Sequence, residues 1–95
     1  RDKRGPLVLH QPEGRSALLA GFLQDSLNRQ QDVFRLPRPS AKYYILNRVN
    51  VPSVIVETGF LSDDGDRRML TSAAGQTRIA AAIAGGIAAY RSMSP

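Results

Sequence analysis

Three consecutive β-branched residues, Val54, Ile55 and Val56, are followed at once by an acid, Glu57, and two residues later by Gly59. A run of this kind suits a strand buried on both faces, as in a parallel or mixed sheet. The whole stretch from Val51 to Ser62 reads VPSVIVETGFLS. Glu57 falls at the carboxyl end of the strand, where open α/β sheets place their ligand crevices. Gly59 allows a sharp turn or a close approach of backbone to a neighbour. The fold is expected to be organised around this strand.

The remainder supplies partners for it. Leu7 to His10 (LVLH) is a short apolar strand after Pro6, and Pro12 and Gly14 break the chain behind it. Ser16 is placed as the N-cap of a helix through ALLAGFLQDSLNRQQ. Leu19, Phe22, Leu23 and Leu27 form its apolar stripe, with Gln24, Asp25, Asn28 and Arg29 on the other side. Asp32 to Ala41 is expected to be a loop, since Pro37 and Pro39 oppose regular structure. Arg35 and Arg38 make that loop basic, fit either for a solvated connection or for lining a groove that takes an anionic or sugar-containing ligand. Lys42 to Leu46 (KYYIL) is predicted as a strand. Asp63 is expected to cap a short helix through Leu70, before a last helix from about Gln76 to Arg91. Ile79, Ile83, Ile87 and Tyr90 share one face of that helix. Gly85 and Gly86 weaken it and suggest a tight approach to a neighbour.

The order is β-α-β-β-α-α, an α/β layered domain in which helices cover a small sheet. At 95 residues the chain holds one domain at most. A sheet of three strands leaves an apolar edge, which points to further chain or a partner completing the fold. The opening RDKRG, without Met, reads as the middle of a chain, and no signal peptide is visible.

Composition narrows the chemistry. With no cysteine there is no disulfide and no thiolate metal site, and the compartment stays open. No apolar run is long enough to span a bilayer. The net charge of +5 comes from arginines scattered along the chain. That favours polyanionic surroundings such as nucleic acid, anionic lipid or an anionic cell wall. Nucleic acid is disfavoured, because there is neither a dense basic helix nor aromatics interleaved with Lys and Arg.

The motifs of common chemistries are missing. No P-loop, G-x-G-x-x-G or G-x-S-x-G is present. His10, the lone histidine, cannot supply the three protein ligands of a catalytic zinc site, and it lies in an apolar strand where a core histidine is expected. Asp63, Asp64 and Asp66 around Gly65 do not follow the EF-hand pattern and are assigned to helix capping and charge. Glu57 remains. Partial desolvation at a strand end suits a carboxylate to proton transfer. Beside a metal-bound water it can take the proton as water attacks an amide, then hand it to the leaving amine.

The segments VPSVIVETGFLSDD, RRML and GQTRIAAAIAGGIAAY together resemble the C-terminal half of the zinc-dependent N-acetylmuramoyl-L-alanine amidases, amidase_3 type, which serve cell-wall and sporulation roles. SALLAGFLQDSL after LHQPEG, and Tyr44 to Leu46, agree with the same family. The resemblance implies an α/β fold with a mixed β-sheet flanked by helices in three layers. It also implies hydrolysis of the amide between N-acetylmuramic acid and L-alanine of the peptidoglycan stem peptide, outside the cytoplasm in the cell envelope, with an activator protein for some members. It lands the family's catalytic glutamate on Glu57. The family's zinc is held by two His and one Glu of the N-terminal half, which this sequence does not include, so no residue of this chain is assigned as a zinc ligand. His10 falls where the family usually has an aromatic, and Asp63 stands for the motif's Asn, with equal capping ability. The expectation is that residues 1–95 are the C-terminal half of one catalytic domain, inactive without the missing N-terminal half. The alternative is a non-catalytic module on the same fold that binds peptidoglycan or a partner protein. A basic nucleic-acid module is a third reading, which would require steeply salt-dependent DNA binding.

Overall fold

A computed structural model describes residues 4–43, 46 and 48–93. The elements in order are β1 (Leu7–His10), α1 (Ser16–Gln31), β2 (Arg38–Pro39), β3 (Val54–Glu57), α2 (Asp64–Leu70) and α3 (Ala73–Met93). The strands form one mixed sheet in the order β2-β1-β3. β2 runs parallel to β1, and β3 runs antiparallel to it. The expected class, a mixed sheet with helices packed on it, is what the chain adopts.

The centre of the sheet is β1 rather than β3. All four β1 residues are buried, whereas all four of β3 are half-buried. The expectation that Val54 to Val56 would be covered on both faces is therefore corrected: among the described residues β3 is an edge strand, paired on one side only.

Side chains alternate across β1 and set the two faces of the sheet. Val8 points toward the helices and joins Ala20, Leu23 and Leu27 of α1 with Ile79 and Ala82 of α3. Val54 and Val56, opposite His10 and Val8, pack against the same cluster. Leu7 and Leu9 point to the other face. The two helices approach closely at Gly86, where a Cβ would lie 2.9 Å from the Leu23 Cα. Ser26 Oγ donates to the Ala82 carbonyl oxygen at 2.7 Å beside it. The expected tight approach thus falls on Gly86; at Gly85 the nearest atom is Ser26 Oγ at 3.7 Å.

Gln24 and Asn28 are not on a solvated side of α1; both are buried. The cause is the shortness of β2. It pairs only with Leu9 and His10, so the Val8 N–H and the Pro6 carbonyl find no strand partner on that side. Gln24 replaces one: Oε1 accepts the Val8 N–H at 2.8 Å, and Nε2 donates to Pro6 O and to Asn28 Oδ1, each at 3.0 Å. Buried backbone groups need such partners.

Two further expectations change. Ser16 is the first residue of α1, not its cap, and no side chain caps that end. Its Oγ accepts the Ser53 N–H at 2.8 Å and donates to Gln11 Oε1 at 3.2 Å, which fixes the entry to β3. The strand beside β1 is Arg38–Pro39, not Lys42 to Leu46. Proline is tolerated at a sheet edge because its missing N–H would face outward. Lys42 and Tyr43 lie outside any strand, Leu46 is buried in a 3₁₀ turn, and Tyr44 and Ile45 fall outside the described residues. Asp63 caps α2 as expected, its side chain accepting the Asp66 N–H at 2.9 Å. α3 begins three residues earlier than predicted and ends two later.

Candidate active site

Glu57 sits opposite Leu7 in the sheet register, and Arg38 sits opposite Leu9. Paired residues share a face. Leu7, Leu9, Glu57 and Arg38 therefore all point away from the helices, into a groove of about 570 Å³. Leu7 and Leu9 form its floor. Arg35, Lys42, Tyr43 and Phe60 complete most of its walls.

The backbone on both sides of the groove is anchored. On one side, Asn28 Nδ2 donates to the Arg35 carbonyl oxygen at 2.8 Å, and the Ser40 N–H donates to the His10 carbonyl oxygen at 2.9 Å. The basic loop expected from sequence is thus tied down and lines the groove. On the other side, Phe60 follows Glu57 by three residues, and its N–H donates to Asp66 Oδ2 at 2.9 Å. That same oxygen accepts the Gly5 N–H at 2.8 Å. Gly59 makes this possible: a Cβ there would stand 3.1 Å from Asp66 Oδ2, tighter than ordinary contacts. The Arg35 guanidinium lies 5.7 Å from the Phe60 ring centroid, so a cation–π contact spans the groove.

Among the described residues Glu57 is the only carboxylate lining the groove, beside Arg35, Arg38 and Lys42. It is half-buried, open to a ligand on the groove side. A carboxylate so placed can accept a proton from water and return it to a leaving group.

His10 does not join this site. It pairs with Val54, on the helix face of the sheet, while Glu57 is on the groove face. It is buried, and its Nδ1 donates to the Gln11 carbonyl oxygen at 2.9 Å. Among the described residues no three His, Cys, Asp or Glu side chains come together as a group able to hold a metal. Asp63, Asp64 and Asp66 serve the start of α2 and the anchoring of Phe60 and Gly5. Sequence reasoning missed Asp66 as the residue that positions the Glu57 loop. The available signal was the proximity of Gly59 to an acidic helix start.

A helix-backed mixed sheet whose other face carries an acid in a basic groove defines an α/β domain with a candidate ligand groove at the carboxyl end of a strand. Comparison with known proteins makes this specific. The profile of the amidase_3 family, N-acetylmuramoyl-L-alanine amidase, matches residues 5–89. The chain belongs to that family. It is 42% identical over 50 residues to N-acetylmuramoyl-L-alanine amidase AmiA of Escherichia coli strain K12, a match covering 53% of this chain and 17% of AmiA. Its fold matches the CwlD amidase from Clostridioides difficile, solved in complex with the GerS lipoprotein, with a TM-score of 0.92 and 31% identity over 98% of this chain and 49% of that one. N-acetylmuramoyl-L-alanine amidase AmiC2 of Nostoc punctiforme matches with a TM-score of 0.82 and 29% identity, covering 96% of this chain and 50% of that one. The chain thus spans about half the length of the solved relatives. No helix of the described residues is long and apolar enough to cross a membrane.

Proposed function

We propose that residues 1–95 are the C-terminal half of a peptidoglycan amidase domain, and that Glu57 is its general acid/base. The reaction is hydrolysis of the amide between N-acetylmuramic acid and L-alanine of the stem peptide. The observation that carries this reading is the placement of Glu57 at the carboxyl end of β3, facing the groove, within the stretch that matches the family profile.

Glu57 takes a proton from the attacking water, then delivers it to the departing alanine nitrogen, which leaves as an amine. The lactyl carbon keeps the new oxygen as a carboxylate. Zinc, implied by the family, would supply Lewis-acid activation of that water and carbonyl. The described residues do not fit a zinc site, so the ligands are assigned to the N-terminal half and no step here runs through the metal.

That half is also the structural partner. β3 has an open edge among the described residues, and a strand from the N-terminal half is the occupant proposed for it. Peptidoglycan as substrate places the protein outside the cytoplasm, in the cell envelope. CwlD is solved with the GerS lipoprotein, which supports an activator protein as a further partner here.

Product analysis tests the activity. The full-length protein incubated with purified peptidoglycan should release stem peptides with a free N-terminal alanine and leave intact glycan strands. Binding to peptidoglycan without new amino termini would favour the non-catalytic module instead.

A further inference from the structure

Glu57 stands where the β1–β3 ladder ends. Leu7 opposite Glu57 is the last register pair, and Pro6, the next residue back, has no N–H with which to extend it. Thr58 and Gly59 beyond Glu57 lie in neither strand nor helix. A strand end of this kind opens easily unless something else holds it. A side chain does so here. Asp66 Oδ2 accepts the Gly5 N–H at 2.8 Å and the Phe60 N–H at 2.9 Å, joining the two strands just past their last pair.

The clamp is itself fixed. Asp66 is only 6% exposed. Its own N–H donates to Asp63 Oδ2 at 2.9 Å, and the Asp63 N–H donates to the Phe60 carbonyl oxygen at 3.0 Å. The start of α2 thus holds both backbone polar groups of Phe60. Each donor also depends on a glycine. Gly5 has φ +82°, which glycine adopts readily, and Gly59 leaves room that a Cβ would take, 3.1 Å from Asp66 Oδ2.

We propose that Asp66 is a positioning residue for the reaction: by closing the strand pair beyond Glu57 it fixes the backbone from which the Glu57 carboxylate reaches the groove. This rests on the reading of Glu57 as general acid/base. A proton-transfer group has to be held to within about 0.5 Å of its productive place. A role confined to stability would leave each folded molecule fully active. A role through the Phe60 wall alone would change substrate binding and would not need Glu57.

The test is a double-mutant cycle in the full-length protein, with a soluble muramoyl-peptide as substrate and rates expressed per folded, zinc-loaded molecule. Asp66→Ala should lower kcat by roughly 10–100-fold, with KM changed by less than about threefold. Asp66→Asn keeps an acceptor oxygen and should recover most of that rate. In a Glu57→Ala background, Asp66→Ala should cost less than about twofold, because the group it positions is gone. If Asp66→Ala does not fold, Gly59→Ala takes its place. The φ of Gly59 is not positive, so the added methyl presses on the Asp66 carboxylate without backbone strain and should lower kcat several-fold only where Glu57 is present. An unchanged kcat, a loss confined to KM, or an equal loss with and without Glu57 overturns the proposal. Full activity of Glu57→Ala would overturn the acid/base reading and this proposal with it, whereas an inactive Glu57→Ala beside a fully active Asp66→Ala overturns this proposal alone.

Discussion

The carboxylate of Asp66 accepts the backbone N–H of Gly5 at 2.8 Å, across 61 positions of chain. The same oxygen holds the Phe60 N–H, so one side chain joins the approach to β1 to the loop that follows Glu57. The loop after the acid and the groove wall at Phe60 are held by a residue that does not itself line the groove.

Replacing Asp66 should therefore loosen the site and the fold together. Asp66→Ala leaves the buried Gly5 N–H and the half-buried Phe60 N–H without a partner and should cost about 2–4 kcal/mol, given 1–3 kcal/mol for an unsatisfied buried group. Asp66→Asn keeps an acceptor oxygen and should cost less. Urea unfolding of the full-length protein measures both. Equal stability of Asp66→Ala and wild type would remove this residue from the account.

Gln24 offers a second test, in the core. Gln24→Leu has nearly the same shape but strands the Val8 N–H, the Pro6 carbonyl and Asn28 Oδ1. The expected loss is about 2–4 kcal/mol, despite the gain in hydrophobicity. Hydrogen exchange should also show the Val8 amide losing protection. A variant as stable as wild type would mean that water satisfies these groups.

The adjacent glycines of α3 should respond in opposite directions. Gly85→Ala meets only Ser26 Oγ at 3.7 Å and should stabilise by up to about 1 kcal/mol through helix propensity. Gly86→Ala pushes a methyl against the Leu23 backbone, which cannot give way as a flexible side chain does. Overpacking of about 1–3 kcal/mol then exceeds the propensity gain, and the variant should be less stable. Thermal melts of the pair decide the matter; the same sign for both would contradict the close α1–α3 approach.

Much of the framework is legible in the sequence, and the misses have physical causes. Leu7–His10 and Val54–Glu57 show as strands because β-branched and apolar runs bounded by Pro, Asn and Gly have few other readings. Asp63 shows as a cap because its place before a short helix is local chemistry. Gln24 and Asn28 were misplaced although Ala20, Leu23, Gln24, Leu27 and Asn28 follow the i, i+3, i+4, i+7, i+8 spacing of one helix face. Their polarity suggested solvent. What draws them inward is the two-residue length of β2, a tertiary fact with no local signal. For the same reason Arg38–Pro39 could not be read as a strand: its pairing depends on β1, not on its own propensity. Glu57 is legible as an acid at a strand end, while the groove that Arg35, Arg38 and Lys42 build around it needs the register of both flanking strands.

The measurement that bears most directly on the central claim is stem-peptide release by the full-length Glu57→Ala protein, with zinc content and thermal unfolding recorded on the same sample. The account predicts a rate lower by about 10²–10⁴-fold, the range for loss of a general acid/base, with zinc content and stability as in wild type. Release within a few-fold of wild type would contradict the role assigned to Glu57.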